Sequence, residues 1–210
     1  DGDGDRLMMV DHQGNEVDGD ELLFIIARQM QREGSFIGGV VGTLMSNYGL
    51  EQACVRDGIP FVRANVGDRY VMAELAQRDW LLGGESSGHI VCRHLTSTGD
   101  GTVAALQVLR AMVETGSSLA DLRKGMTRLP QRMINVRLQE KVDIKEIPAI
   151  ADAVSATEAT LDGRGRVLLR PSGTEPVIRV MIEGEVEDEV SSLCETLAQQ
   201  VENAIQALEK

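Results

Sequence analysis

The chain has 210 residues, 42% of them apolar but only 3% aromatic, so it can bury a sizeable aliphatic core. Acidic residues outnumber basic ones 33 to 21, and the net charge of −12 excludes nucleic acid as a general partner, because a backbone-tracking protein needs basic surface. No apolar run reaches a membrane span, so no membrane partner is expected; Cys54, Cys92 and Cys194, odd in number and without C-x-x-C spacing, point to free thiols in a reducing, cytoplasmic compartment.

The apolar run 7–10 predicts a short strand, and 12–15 a turn. Asp18 followed by Glu21 has the spacing of a capping box, opening a helix with Leu22, Leu23, Ile26 and Met30 on one face. Residues 38–45 read as a strand, 50–56 as a helix ended by Gly58, and 59–62 as a strand. A helix over 70–78 turns Val71, Leu75 and Met72 inward. Short strands at 80–82 and 90–92 flank a polar loop, and a long helix over 102–114 is expected to bury Val103, Leu106, Leu109 and Val113. Strands alternating with helices imply an α/β layer on a mixed sheet with some parallel pairing.

A short helix over 119–124 runs into Gly125 and Pro130, where the pattern changes and a domain boundary is placed. Beyond it come a strand (133–138), a helix (148–161), a strand (166–169), a loop, a strand (177–182) and a helix (188–208). Pro148 fits the first helical position, where its missing N–H costs little. An antiparallel sheet carrying two helices makes this a small α+β domain. The chain lacks an initiator Met and opens inside an acidic loop, so it is expected to be a fragment of a longer protein.

Three polar loops carry the chemistry. In the first, Asp1, Asp3 and Asp5 alternate with glycines ahead of Arg6, a spacing that lets three carboxylates meet a hard divalent cation such as Mg²⁺. An EF-hand needs Gly at the sixth position and Glu at the twelfth, and Arg6 and His12 stand there instead. A solvated acidic turn is the other reading. In the second, Glu85, Ser86, Ser87 and His89 lie between Gly84 and the strand at 90–92, suited to sugar hydroxyls; a hairpin facing water is the alternative. In the third, Arg170 precedes Ser172, Gly173 and Thr174, and Arg179 lies on the returning strand, which suits a phosphate; the alternative is a β-turn with exposed arginines. Asp68, at a strand–helix junction, either lines a cleft or caps the helix. Ser46 lacks a nucleophile context and is read as structural.

Taken in order, D-G-D-G-D-R, G-E-S-S-G-H and R-P-S-G-T-E-P resemble the α-D-phosphohexomutase superfamily. Residues 43–47, 66–70 and 170–179 are most similar to its branch that interconverts glucosamine 6-phosphate and glucosamine 1-phosphate. The resemblance implies four domains around a cleft, with 1–16 the tail of the second, 17–129 the third and 130–210 the fourth. It implies a phosphoserine donor outside this chain and a bisphosphate intermediate, so the chain alone is expected to be inactive. Carried onto this sequence, it assigns Mg²⁺ to Asp1, Asp3 and Asp5, and the transferring phosphoryl group to Arg6. It assigns the sugar to Asp68, Glu85, Ser87 and His89, and the non-reacting phosphate to Arg170, Ser172, Gly173, Thr174 and Arg179. The implied partner is a phosphorylated hexosamine that feeds cell-wall synthesis, and a homodimer is compatible with the family. The competing readings are a phosphomannomutase or phosphoglucomutase of the same superfamily, or a non-catalytic sugar-phosphate-binding module.

Overall fold

The computed structural model describes residues 1–138, 144, 147–172 and 175–208. They form two compact units, Asp1–Arg128 and Leu129–Lys210. No described helix is long and apolar enough to cross a membrane.

The first unit opens with an antiparallel ribbon, β1 (Met9–Val10) and β2 (Glu16–Val17). Its turn is closed by Asp11, whose Oδ1 accepts from the N–H groups of Gln13 and Asn15 at 2.9 Å each. Helix α1 (Gly19–Arg32) begins at the capping box: Asp18 accepts from the N–H groups of Asp20 and Glu21, and Glu21 accepts from the N–H of Asp18. The sheet then builds through β3 (Val40–Thr43), α2 (Tyr48–Arg56), β4 (Phe61–Ala64), α3 (Asp68–Arg78), β5 (Leu82–Gly84), β6 (Ile90–Cys92) and α4 (Gly101–Thr115). Strand order is β4-β3-β5-β6; β3 runs parallel to both neighbours and β6 antiparallel, as a mixed sheet requires. A short helix α5 (Leu119–Leu122) and one 3-10 turn (Arg123–Gly125) follow.

Several expectations change here: the strand at 7–10 is only Met9–Val10, and the one at 80–82 moves to Leu82–Gly84. The strand at 38–45 shrinks to β3, because Trp80 packs where a Cβ on Gly38 or Gly39 would stand, at 2.1 and 2.6 Å. The strand at 59–62 moves to Phe61–Ala64, since Ile59 still closes the turn that follows α2, donating its N–H to Cys54 O at 2.8 Å. The buried face of α4 is also different. Ala104, Val108 and Ala111 face the core, while Leu106, Leu109 and Val113 are 56%, 44% and 81% exposed. The small side chains join the same core cluster as Leu22, Leu23 and Ile26 of α1, so close helix–helix approach selects alanine over leucine.

The second unit contains β7 (Gln131–Arg137), α6 (Pro148–Leu161), β8 (Gly165–Pro171), β9 (Val177–Gly184) and α7 (Glu187–Leu208). Its sheet is antiparallel, in the order β7-β9-β8. Alternate residues point to opposite faces. Val136, Ile178, Val180 and Ile182 meet Ile150 and Leu161 of α6 and Val190, Cys194, Leu197 and Val201 of α7. The other face carries the row Asn135–Arg179–Arg170.

Candidate functional site

The loops after β3, β4 and β5 all leave the carboxyl edge of the sheet, where open α/β sheets bind ligands. After β3, Ser46 is fully buried and its Oγ accepts from Thr43 N–H at 3.0 Å, a structural role, while Asn47 caps α2 through Gly49 N–H at 3.0 Å. After β4, Gly67 adopts φ +125° and Asp68 starts α3, exposed at its first turn. Gly67, not Asp68, is the N-cap, and it makes no side-chain cap bond. After β5 comes the loop holding Glu85, Ser86, Ser87 and His89. Glu85 Oε1 accepts from Gly67 N–H at 2.9 Å, tying the loop after β4 to the loop after β5.

This polar loop is held from several sides. Glu85 N–H donates to His89 O and Gly88 N–H to Glu85 O, both at 3.0 Å, closing a tight turn. Gly19, at the head of α1, donates its N–H to Ser86 O at 3.0 Å. A Cβ on Gly19 would lie 2.1 Å from Glu85 O, so only glycine permits this approach. Ser87 stays exposed and Glu85 half-buried, leaving both accessible to a ligand.

The acidic loop docks onto the same turn. Arg6 bridges to His89, Leu7 N–H donates to Gly88 O at 3.0 Å, and Gly101 N–H donates to Gly4 O at 2.9 Å. Gly88 has φ +90°, and a Cβ there would meet Leu7 O at 2.0 Å. His89 is 5% exposed, and its Nε2 lies 3.8 Å from Asp5 Oδ2. It therefore sits under the acidic loop instead of standing out beside Ser87. Asp1, Asp3 and Arg6 are exposed and Asp5 partly so.

The carboxylates offer the hard oxygen donors that Mg²⁺ prefers. As arranged, they do not make a cage: among the described residues no three His, Cys, Asp or Glu groups come together to hold a metal ion.

The third loop belongs to the second unit. Arg170 and Arg179 are directly opposed across β8 and β9. Ser172 is buried, donates its N–H to Val177 O at 2.9 Å, and its Oγ accepts from Glu175 N–H at 3.3 Å. Arg179 Nη2 lies 3.8 Å from Glu175 Oε2. Gly173 and Thr174 lie outside the described residues.

Sequence patterns gave no warning of Asp20. It occupies the first turn of α1 like a surface residue, yet it is fully buried, with Oδ2 accepting from Asn47 N–H at 2.8 Å. Burial pushes its carboxyl up to about 7. Burial likewise raises the Cys54 thiol to about 12 and the Cys92 thiol to about 11, so neither is a nucleophile at neutral pH.

An α/β unit with a locked polar loop and an acidic loop docked on it, and a second, antiparallel α+β unit carrying paired arginines, define the class of fold. Residues 18–129 match the family description "Phosphoglucomutase/phosphomannomutase, alpha/beta/alpha domain III", and residues 133–200 match its C-terminal domain. The chain belongs to the phosphoglucomutase/phosphomannomutase family. It is 59% identical over 205 residues to a protein of Hahella chejuensis named phosphoglucosamine mutase, covering 98% of this chain and 46% of that one. Proteins of the same name from Pseudomonas putida and Methylococcus capsulatus are 59% and 56% identical, over 96% and 99% of this chain and 45% and 46% of theirs. The chain thus spans about half the length of the curated relatives it matches. The Aspergillus fumigatus N-acetylphosphoglucosamine mutase, solved with GlcNAc-6P and magnesium, superposes with a TM-score of 0.78 at 21% identity, over 97% of this chain and 48% of that one. A phosphoglucomutase/phosphomannomutase family protein of Burkholderia thailandensis gives 0.71 at 21%, over 97% of this chain and 45% of that one. At these identities the likeness is one of fold.

Proposed function

We propose that this chain is part of a phosphoglucosamine mutase, an isomerase that interconverts glucosamine 6-phosphate and glucosamine 1-phosphate, supplying amino-sugar precursors for the cell wall. The observation that carries this reading is the docking of the acidic loop on the Glu85–Ser87 turn, which joins a charge-handling group to a sugar-binding group in one rigid frame. Phosphoryl transfer depends mainly on positioning and charge neutralisation, and the loops offer both. Glu85 and Ser87 bind sugar hydroxyls, and Asp68 stands on the same sheet edge. Arg170, Ser172 and Arg179 hold the non-reacting phosphate, together with Gly173 and Thr174. Arg6 steadies the transferring group, and His89 orders the acidic loop beneath it. Asp1, Asp3 and Asp5 are the candidate Mg²⁺ ligands. Because they do not converge as arranged, no step is assigned to the ion. The phosphoryl donor is a phosphoserine elsewhere in the longer protein, so the chain alone does not turn over. The three buried free cysteines favour a cytoplasmic setting.

The test is a substrate comparison with the longer protein. Preference for glucosamine phosphate over glucose and mannose phosphates supports the reading; preference for either of the others refutes it in favour of a phosphoglucomutase or phosphomannomutase.

A further inference from the structure

Register across the second unit's sheet places Asn135 of β7, Arg179 of β9 and Arg170 of β8 in a single row. Residues directly opposed in this way have Cβ atoms about 5 Å apart. One row along, about 7 Å away on the same face, Arg137 is level with Val177, to whose carbonyl Ser172 donates its N–H at 2.9 Å. Three arginines therefore crowd two adjacent rows of a chain whose net charge is −12. Like charges directly opposed destabilise a sheet unless something lies between them.

The compensation within this patch is slight. Arg179 has Glu175 at 3.8 Å, and the Glu175 side chain is 63% exposed. Arg170 Nε is buried with no hydrogen-bond partner among the described residues. Asn135 and Arg137 are exposed on the open face of β7. Against them lies a cavity of about 610 Å³, lined by Asn135, Arg137, Leu138, Glu175, Pro176 and Val177. The cavity adjoins the phosphate loop on the β7 side, away from Arg170.

We propose that Asn135 and Arg137 are further members of the phosphate site, binding a phosphate monoester from the side opposite Arg170. This rests on the reading of the Arg170 loop as the phosphate clamp. A phosphate dianion offers more acceptor positions than two guanidinium forks fill. The Asn135 amide N–H, in the same row as both arginines, donates to one peripheral oxygen. Arg137 carries five donors on a long side chain and reaches back one row to another. The bound dianion takes the place of Glu175 as the partner of Arg179, and Glu175 turns to solvent.

The experiment is calorimetric titration of the 210-residue chain with inorganic phosphate, and separately with glucosamine 6-phosphate, at low ionic strength. The variants are Arg137→Gln, Arg137→Lys, Asn135→Ala and Arg170→Ala, each checked by circular dichroism. Arg137→Gln is expected to weaken both ligands roughly tenfold, the loss of one charge-assisted contact. Arg137→Lys should recover part of that loss and Asn135→Ala should show a smaller one, while Arg170→Ala abolishes binding. If Arg170→Ala abolishes binding but Arg137→Gln and Asn135→Ala bind like the parent, the inference is overturned and the clamp reading stands. If the parent chain binds neither ligand, both fall. A loss confined to glucosamine 6-phosphate also overturns the inference, because Arg137 then reads the sugar.

Discussion

Replacing Gly19 by alanine isolates the contact that holds the turn at residues 85–88 against α1. In an open helix this change stabilises by about 0.5–1 kcal/mol, because glycine loses more backbone freedom on folding. At Gly19 the new Cβ would lie 2.1 Å from Glu85 O, 2.6 Å from Gly88 N and 2.9 Å from Gly88 Cα. All three are backbone atoms, so no side chain can swing aside. Overpacking of this kind costs about 1–3 kcal/mol. The displaced turn also loses the Gly19 N–H bond to Ser86 O, a further ~1 kcal/mol. The clash outweighs the propensity gain, and a net loss of about 2 kcal/mol is expected, lowering the melting temperature by roughly 5–10 °C. Trp80 is the one tryptophan of the chain and sits in the first unit, so its fluorescence during a thermal melt reports the effect. Gly2→Ala, where nothing lies within 4 Å, is the control and should melt like the parent. A Gly19→Ala variant as stable as the parent, or more so, refutes the tight contact and the rigidity inferred from it.

Asp20→Asn should stabilise the chain increasingly between about pH 4 and pH 7. Burial holds the folded carboxyl at about 7 against an ordinary value of 3.8, so the unfolded chain ionises first and the parent loses stability across that window. Asparagine keeps an acceptor for Asn47 N–H without a proton to lose; urea melts showing a constant difference from pH 4 to pH 7 would count against this. On the proposed function, Glu85→Gln in the longer protein keeps an acceptor for Gly67 N–H but should weaken a bond to a sugar hydroxyl, about 1–3 kcal/mol. The specificity constants for glucosamine and glucose phosphates should fall together; loss of glucosamine phosphate alone would mean that Glu85 reads the ammonium group. Arg170→Ala should lower kcat/KM by roughly tenfold or more through a lost charge-assisted phosphate contact while leaving the melting temperature near the parent value. Wild-type kinetics, or a collapsed melt, would contradict that assignment.

Local patterns carried much of the architecture. The Asp18–Glu21 capping box, the alternation of strands with helices, and Pro148 at the start of α6 are each written within a few residues, and each appears in the fold. What escaped depends on partners distant in sequence. Helix α4 is apolar nearly all round, so periodicity alone could not choose between Leu106, Leu109 and Val113 and the small face of Ala104, Val108 and Ala111 that α1 selects. Gly38 and Gly39 read as strand residues until Trp80 is seen lying over them. The residue types of the three loops were legible, because carboxylates, hydroxyls and arginines recur in recognisable spacing. Their mutual fixing was not: no short-range rule links Leu7 to Gly88, Gly101 to Gly4, or Glu85 to Gly67. Asp20 looked like one more acidic residue of a helix start, and only its burial beside Asn47, distant in sequence, raises its carboxyl.

The seating of the acidic loop on Gly88 and Gly101 bears on when that loop can take shape. On the ribosome it emerges well before either glycine, and until both are made it has no backbone to dock on. Strand β6 and the head of α4 must therefore be in place before the three aspartates are ordered. A nascent chain stopped short of Gly101 carries the carboxylates without the backbone they dock on. Order in the acidic loop of such truncated chains should be gained late and abruptly, when the unit closes, and not residue by residue.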